Sequence, residues 1–173
     1  MAQVKDYSDM VSGCRKGDRR AQKALYETFA PMALGVCMRF AADRDAAQDL
    51  MQDGFIRVFE HIGKLREPSS LGAWIYRTMV NVCLRNYRKH QREVIEQDDT
   101  SDAPVAPLDP FGMEELVWAM QQLPPAQRTA FNLTEIEGYS YSEVASEMHC
   151  TEVNLRALVC RAKATMRKLL TNK

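Results

Sequence analysis

Arg77, Asn81, Arg85, Arg88 and Arg92 follow one another at steps of four, four, three and four. On a helix this spacing draws them into one stripe about 20 Å long, given a rise of 1.5 Å per residue. Guanidinium and amide groups in a row suit phosphate oxygens and the hydrogen-bonding edges of bases. Trp74 and Tyr76, near the start of the same segment, offer rings on which unpaired bases can stack. The spacing alone fits a solvated helix face with a core tryptophan equally well.

A second constellation lies in the last third of the chain. Gln127 to Ile136 reads as a helix closed by Gly138. Ser140 or Ser142 starts a short helix to Met148, and Thr151 caps a long one that continues to about Leu170. This is helix-turn-helix grammar, in which the second helix enters a major groove. Glu152, Asn154, Arg156, Arg161 and Lys163 are expected to face out, and Val153, Leu158 or Val159, Ala162, Met166 and Leu169 inward. Asn and Arg match adenine and guanine edges, and Glu accepts from cytosine N4. The plainer alternative is an ordinary amphipathic helix. A third group, Asp49, Gln52 and Asp53, lies off the apolar stripe Leu50, Phe55, Val58, Phe59 and Ile62. Its carboxylates either favour a helix N-terminus or form a docking face for a basic partner. Gly54, mid-helix, would permit a neighbouring helix to approach closely.

The elements that must position these groups are helical. Ala, Leu, Met, Arg and Gln are frequent and β-branched runs are few. An opening helix is expected from Asp6 to Lys16 and a second from near Asp18 through Phe29. Pro31 then opens another to Phe40. Asp43 caps a long helix from Asp45 to Ile62, Gly63 to Ser70 is a loop, and Ser69 or Ser70 caps a helix from Leu71 to Arg92. Glu93 to Gly112 holds Pro104, Pro107 and Pro110 among aspartates and has no apolar period, so it reads as a linker. Glu114 to Leu123 is a helix ended by Pro124 and Pro125. The expected fold is all-α: two small helical domains, 1–92 and 113–173, joined by a flexible acidic linker at 93–112, the second domain a helix-turn-helix.

The net charge of zero conceals a division. Residues 1–92 hold 16 basic against 10 acidic side chains, 93–115 none against 8, and 116–173 7 against 5. Two weakly basic modules flank an acidic tether. Because phosphate neutralisation supplies most non-specific affinity, such a chain needs a partner to hold DNA. No nucleophile–base pairing, phosphate loop or dinucleotide fingerprint occurs, so no catalytic residue and no cofactor are expected. Cys14, Cys37, Cys83, Cys150 and Cys160 fit no metal-ligand spacing and read as small apolar residues, so no metal is expected. Neither a signal peptide nor an apolar run of membrane length is present, so a cytoplasmic chain without membrane insertion is expected.

The chain resembles alternative sigma factors of the extracytoplasmic function (ECF) group, sigma-70 family group IV. DAAQDLMQDGFIRVF, Asp45 to Phe59, resembles the segment that grips the clamp helices of the RNA polymerase β′ subunit. LGAWIYRTMVNVCLRNYRK, Leu71 to Lys89, resembles the helix that recognises and melts the minus-ten element. LPPAQRTAFNLTEIEGYSYSEVA, Leu123 to Ala145, with the helix that follows, resembles the domain that reads the minus-thirty-five element and contacts the β flap. The resemblance implies a dissociable specificity subunit of bacterial RNA polymerase that directs promoter recognition, DNA melting and initiation. Asp49, Leu50, Gln52 and Asp53 would dock on core polymerase. Lys64, Arg66, Trp74, Arg77, Asn81, Arg85 and Arg88 would hold the minus-ten element, with the loop Gly63 to Ser70 capturing an extruded base. Glu152, Asn154, Arg156, Arg161 and Lys163 would read the minus-thirty-five element. The acidic linker would thread through polymerase, and an anti-sigma factor is an expected partner. The chain departs from the family pattern at Arg85, where an acidic residue is common, at Leu158, where a basic one is, and at His149, where glycine is. An autonomous helix-turn-helix regulator is the first alternative and a helical adaptor the second. The first lacks an evident dimerisation helix, and the polymerase-grip segment argues against the second.

Overall fold

The structure is a computed structural model that describes residues 6–91 and 112–171. The described residues are helical, in the order α1 (Ser8–Arg15), α2 (Arg19–Phe40), α3 (Arg44–His61), two short 3₁₀ turns (Ile62–Lys64 and Pro68–Ser70), α4 (Leu71–Gln91), α5 (Met113–Gln121), α6 (Pro125–Phe131), a π turn (Asn132–Ile136), α7 (Tyr141–Glu147) and α8 (Glu152–Thr171). The all-α expectation holds. The linker read at 93–112 and Arg92 lie outside the described residues, apart from Gly112.

By packing the chain divides into two units. One comprises Met1–Cys37 with Arg44–Cys83, the other Met38–Asp43 with Leu84–Lys173. In the first, α1 turns into α2 at Gly17, whose φ of +74° is a left-handed conformation that glycine adopts without a Cβ clash. Asp18 then caps α2, its Oδ1 accepting from the Arg20 N–H at 2.9 Å. The sequence predicted a new helix at Pro31. Instead α2 runs unbroken through it for 22 residues. The buried face Leu25, Phe29, Ala33, Val36 and Cys37 crosses the proline at helical spacing, and burial of both halves outweighs the lost hydrogen bond. From α3 to α4 the approach is close, as Gly54 predicted. A Cβ on Gly54 would clash with the sulfur of Met79, which is wholly buried. Neither Ser69 nor Ser70 caps α4 as expected. The Pro68–Ser70 turn runs directly into α4, and Ser70 Oγ donates back to the Glu67 carbonyl at 2.8 Å.

The second unit has a core cluster of Ala119, Met120, Leu123, Phe131, Ala162, Met166 and Leu170, built by α5, α6 and α8. Pro125 opens α6 at its first turn, two residues before the expected start, because proline needs no N–H partner there. Within this core lies a buried arginine. Arg128, 4 % exposed, donates to the carbonyls of Met120 (3.0 Å), Gln121 (3.2 Å) and Leu123 (2.8 Å) at the end of α5, and to that of Phe40 (3.1 Å). A helix leaves its last carbonyls without partners, and one guanidinium supplies them here. Burial draws the Arg128 pKa down from its ordinary value, with Asp43 opposing.

Candidate nucleic-acid interface

On α4, the buried stripe Leu71, Ile75, Met79 and Val82 turns Arg77, Asn81 and Arg85 outward, and all three are exposed. Trp74 is half-buried, with its carbonyl accepting from Thr78 Oγ1 at 2.8 Å. Arg88 is half-buried and already engaged within the second unit. Its Nε donates to the Glu147 carbonyl at 2.8 Å, and its guanidinium pairs with the Glu147 carboxylate. To reach a phosphate, Arg88 must leave that pair. Lys64 and Arg66 stand exposed on either side of Leu65, which is buried at 5 % exposure. The Leu65 carbonyl accepts from the Arg15 guanidinium, so the loop is pinned at its middle by a side chain from α1. Sequence reasoning missed both Leu65 and Arg15 as the loop's anchors. A lone leucine between two charges was the only signal for the first, and a partner 50 residues away left none for the second.

On α3, Asp49, Gln52 and Asp53 are exposed and share one face. Leu50, grouped with them in sequence, is buried at 7 % exposure. Its side chain lies beneath the face, in the core. Ile56, 56 % exposed, extends the same face by one turn and was not singled out.

The helix-turn-helix is built from reciprocal caps. Ser140 Oγ accepts from the Glu143 N–H at 3.3 Å while the Glu143 carboxylate accepts from the Ser140 N–H at 2.9 Å, which closes a capping box on α7. The Ser140 hydroxyl, which donates to the Glu143 carboxylate at 2.6 Å, and then the Ser140 N–H hold the Glu143 pKa below its ordinary value. Gly138 ends the preceding turn at φ +74°, as predicted. His149 takes φ +55° in the connection to α8, the left-handed conformation for which the sequence offered no glycine. Thr151 Oγ1 accepts from the Asn154 N–H at 3.2 Å and so caps α8, as expected.

The helix α8 keeps Val159, Ala162 and Met166 inward as expected, with Leu169 packed against the core, but Val153 does not face inward. Its buried stripe is Leu155, Val159, Ala162, Met166 and Leu170, whereas Val153 is 72 % exposed and Leu169 half-buried. Glu152, Asn154 and Arg156 are exposed on the first turns, and Arg161 is half-buried. The Arg156 guanidinium sits 4.7 Å over the Tyr141 ring and 3.7 Å from the Glu152 carboxylate. Lys163 is half-buried and paired with Glu135 at 2.7 Å, and the Tyr141 hydroxyl donates to the same carboxylate at 3.3 Å. Burial first, then the Glu135 charge, raises the Tyr141 pKa. Lys163 therefore ties α8 to the π turn, while Glu152, Asn154 and Arg156 are exposed to solvent.

Among the described residues no cluster of three or more metal-ligating side chains occurs, and no helix is long and apolar enough to cross a membrane. Residues 25–93 match the family model for sigma-70 region 2, and residues 113–166 that for sigma-70 region 4. The chain is 29 % identical over 177 residues to the RNA polymerase sigma-H factor of Pseudomonas aeruginosa, covering 93 % of this chain and 92 % of that one. To the ECF RNA polymerase sigma factor EcfG of Rhodopseudomonas palustris it is 30 % identical over 145 residues, covering 81 % and 80 %. Among solved structures, the sigma factor RpoE from Bartonella quintana, in complex with the anti-sigma factor NepR, is similar in fold. The TM-score is 0.50 at 23 % identity, over 86 % of this chain and 96 % of that one.

Proposed function

This chain belongs to the extracytoplasmic function group of the sigma-70 family, whose members are non-catalytic specificity subunits of transcription, and from that premise we propose how its parts divide the work. The domain of residues 1–92 binds core polymerase and the minus-ten element, the domain of 113–173 reads the minus-thirty-five element, and 93–112 tethers them. Asp49, Gln52 and Asp53 dock on a basic surface of the β′ clamp helices, with Leu50 supporting that face from the core. Arg77, Asn81 and Arg85 track the opened strand, and Arg88 joins them on release from Glu147. The loop of Lys64 and Arg66, held open at Leu65, receives an extruded base. Trapping it offsets an unstacking cost of a few kcal/mol. Trp74 at the start of α4 supports the neighbouring base by stacking. Glu152, Asn154 and Arg156 enter the upstream major groove, and Arg161 and Lys163 hold α8 at the correct depth.

The observation that supports this reading is two chemically distinct exposed groups in one chain: an Arg–Asn–Arg line on α4 and a Glu–Asn–Arg turn on α8. A duplex-binding regulator needs only the second. With a net charge of zero, neither reader has enough phosphate contacts to act alone, so polymerase supplies the remaining affinity. An anti-sigma factor that covers these faces would silence the chain, and the similar RpoE is found in complex with an anti-sigma factor. In vitro transcription on a pooled promoter library, with sigma-free core polymerase, tests the proposal. Protein-dependent transcripts sharing two upstream elements are expected. Absence of core binding would overturn it.

A further inference from the structure

Among the described residues Val153 is the most exposed of the large apolar side chains, at 72 %, and it sits in the first turn of α8 between Glu152 and Asn154. Each helical residue turns about 100°, so Val153 and Ala157, two residues before and after Leu155, both lie about 160° from it. Leu155 is wholly buried. Val153 and Ala157 therefore stand one above the other on the side opposite the core. Glu152 and Arg156 flank them on one side, Asn154 and Arg161 on the other. The centre of the outward face is thus apolar and its margins polar.

A solvated helix face gains nothing from a β-branched residue there, since valine is a weaker helix former than alanine and buries no surface. In a major groove the chemistry differs. Thymine alone of the four bases presents a methyl group, and an apolar side chain is its complement. We propose that Val153 reads the 5-methyl group of a thymine in the upstream promoter element, with Ala157 leaving room for the base to approach. Arg156, held by Tyr141 and Glu152, and Asn154 then address the adjoining pairs by hydrogen bonding. The inference rests on α8 being the upstream reader and adds one specified base to what it recognises.

Deoxyuridine differs from thymidine only by that methyl. The test replaces each dT of the selected upstream element in turn by dU, and measures transcription with core polymerase and either the natural chain or Val153→Ala. The alanine variant keeps the helix, which melting followed by circular dichroism verifies. One dU should reduce transcription by the natural chain about three- to fivefold, the worth of one buried methyl. The same dU should leave Val153→Ala unchanged. If dU is neutral at every upstream position, costs the variant as much, or the element holds no thymine, Val153 is not a methyl reader. A failure to find any upstream element would instead remove the reading of α8 on which the inference stands.

Discussion

The two units solve the same packing problem with different chemistry. Among the described residues the first has an entirely apolar core, whereas the second encloses Arg128, Thr129 and Asn132. An apolar core tolerates graded loss of volume, because stability follows the surface and cavity removed. A core organised around one guanidinium does not grade. Arg128 fixes the end of α5 against α6 through three carbonyls, of which only that of Met120 also accepts from a backbone N–H, that of Leu123, among the described residues. The first unit is thus held by shape, and the second by a hydrogen-bond hub near the helix-turn-helix it must orient.

Removing the hub should have the largest effect. Arg128→Ala is expected to destabilise the second unit by about 3 kcal/mol or more, since buried acceptors are left unpaired. Arg128→Met, which restores much of the volume, should recover little of it, and thermal melts distinguish volume from hydrogen bonding. In the first unit the response should be graded. Ile75→Ala is expected to cost about 2–4 kcal/mol and Ile75→Val about 1 kcal/mol, measured by urea unfolding. Equal losses from both would remove the contrast between the cores. Asn132 sharpens the comparison in the opposite direction. It is wholly buried, and its side-chain amide has no hydrogen-bond partner among the described residues. Asn132→Leu should stabilise the second unit by about 1 kcal/mol, unlike any polar-to-apolar exchange at Arg128.

The smallest effect concerns the capping box. Glu143 is held below its ordinary pKa of 4.5 by Ser140, so its contribution is present above that value. It is lost as pH falls through the lowered one. Comparing the natural chain with Ser140→Ala from about pH 6 to about pH 3, the gap in melting temperature should close toward the acid end. A gap that stays constant with pH would show that the carboxylate takes no part in the cap.

Much of this was legible in the sequence, and what was not has identifiable causes. Capping chemistry is local, so Ser140, Thr151, Gly138 and the special position of His149 were readable from residue type. The arginine line on α4 was readable because Leu71, Ile75, Met79 and Val82 leave one register. On α8 the pattern was ambiguous. Val153, Leu155, Leu158 and Val159 are all apolar, so two registers satisfy a helical period, and tertiary packing chose Leu155. Leu50 was legible as part of the apolar stripe of α3 and is buried there, beside the exposed Asp49. Pro31 and Arg128 share a second cause. Each sits where its residue type is locally unfavourable: the buried face on either side carries Pro31 within α2, and Arg128 is held by carbonyls of which that of Phe40 lies 88 residues away.

The central claim is that α4 and α8 read different promoter elements. It is tested most directly by transcription from one promoter with each element scrambled in turn, using Arg77→Ala with Asn81→Ala in one variant and Asn154→Ala with Arg156→Ala in another. The α8 variant should become indifferent to scrambling of the upstream element while still requiring the downstream one, and the α4 variant should do the reverse. Loss of dependence on the same element in both variants would contradict the division of labour.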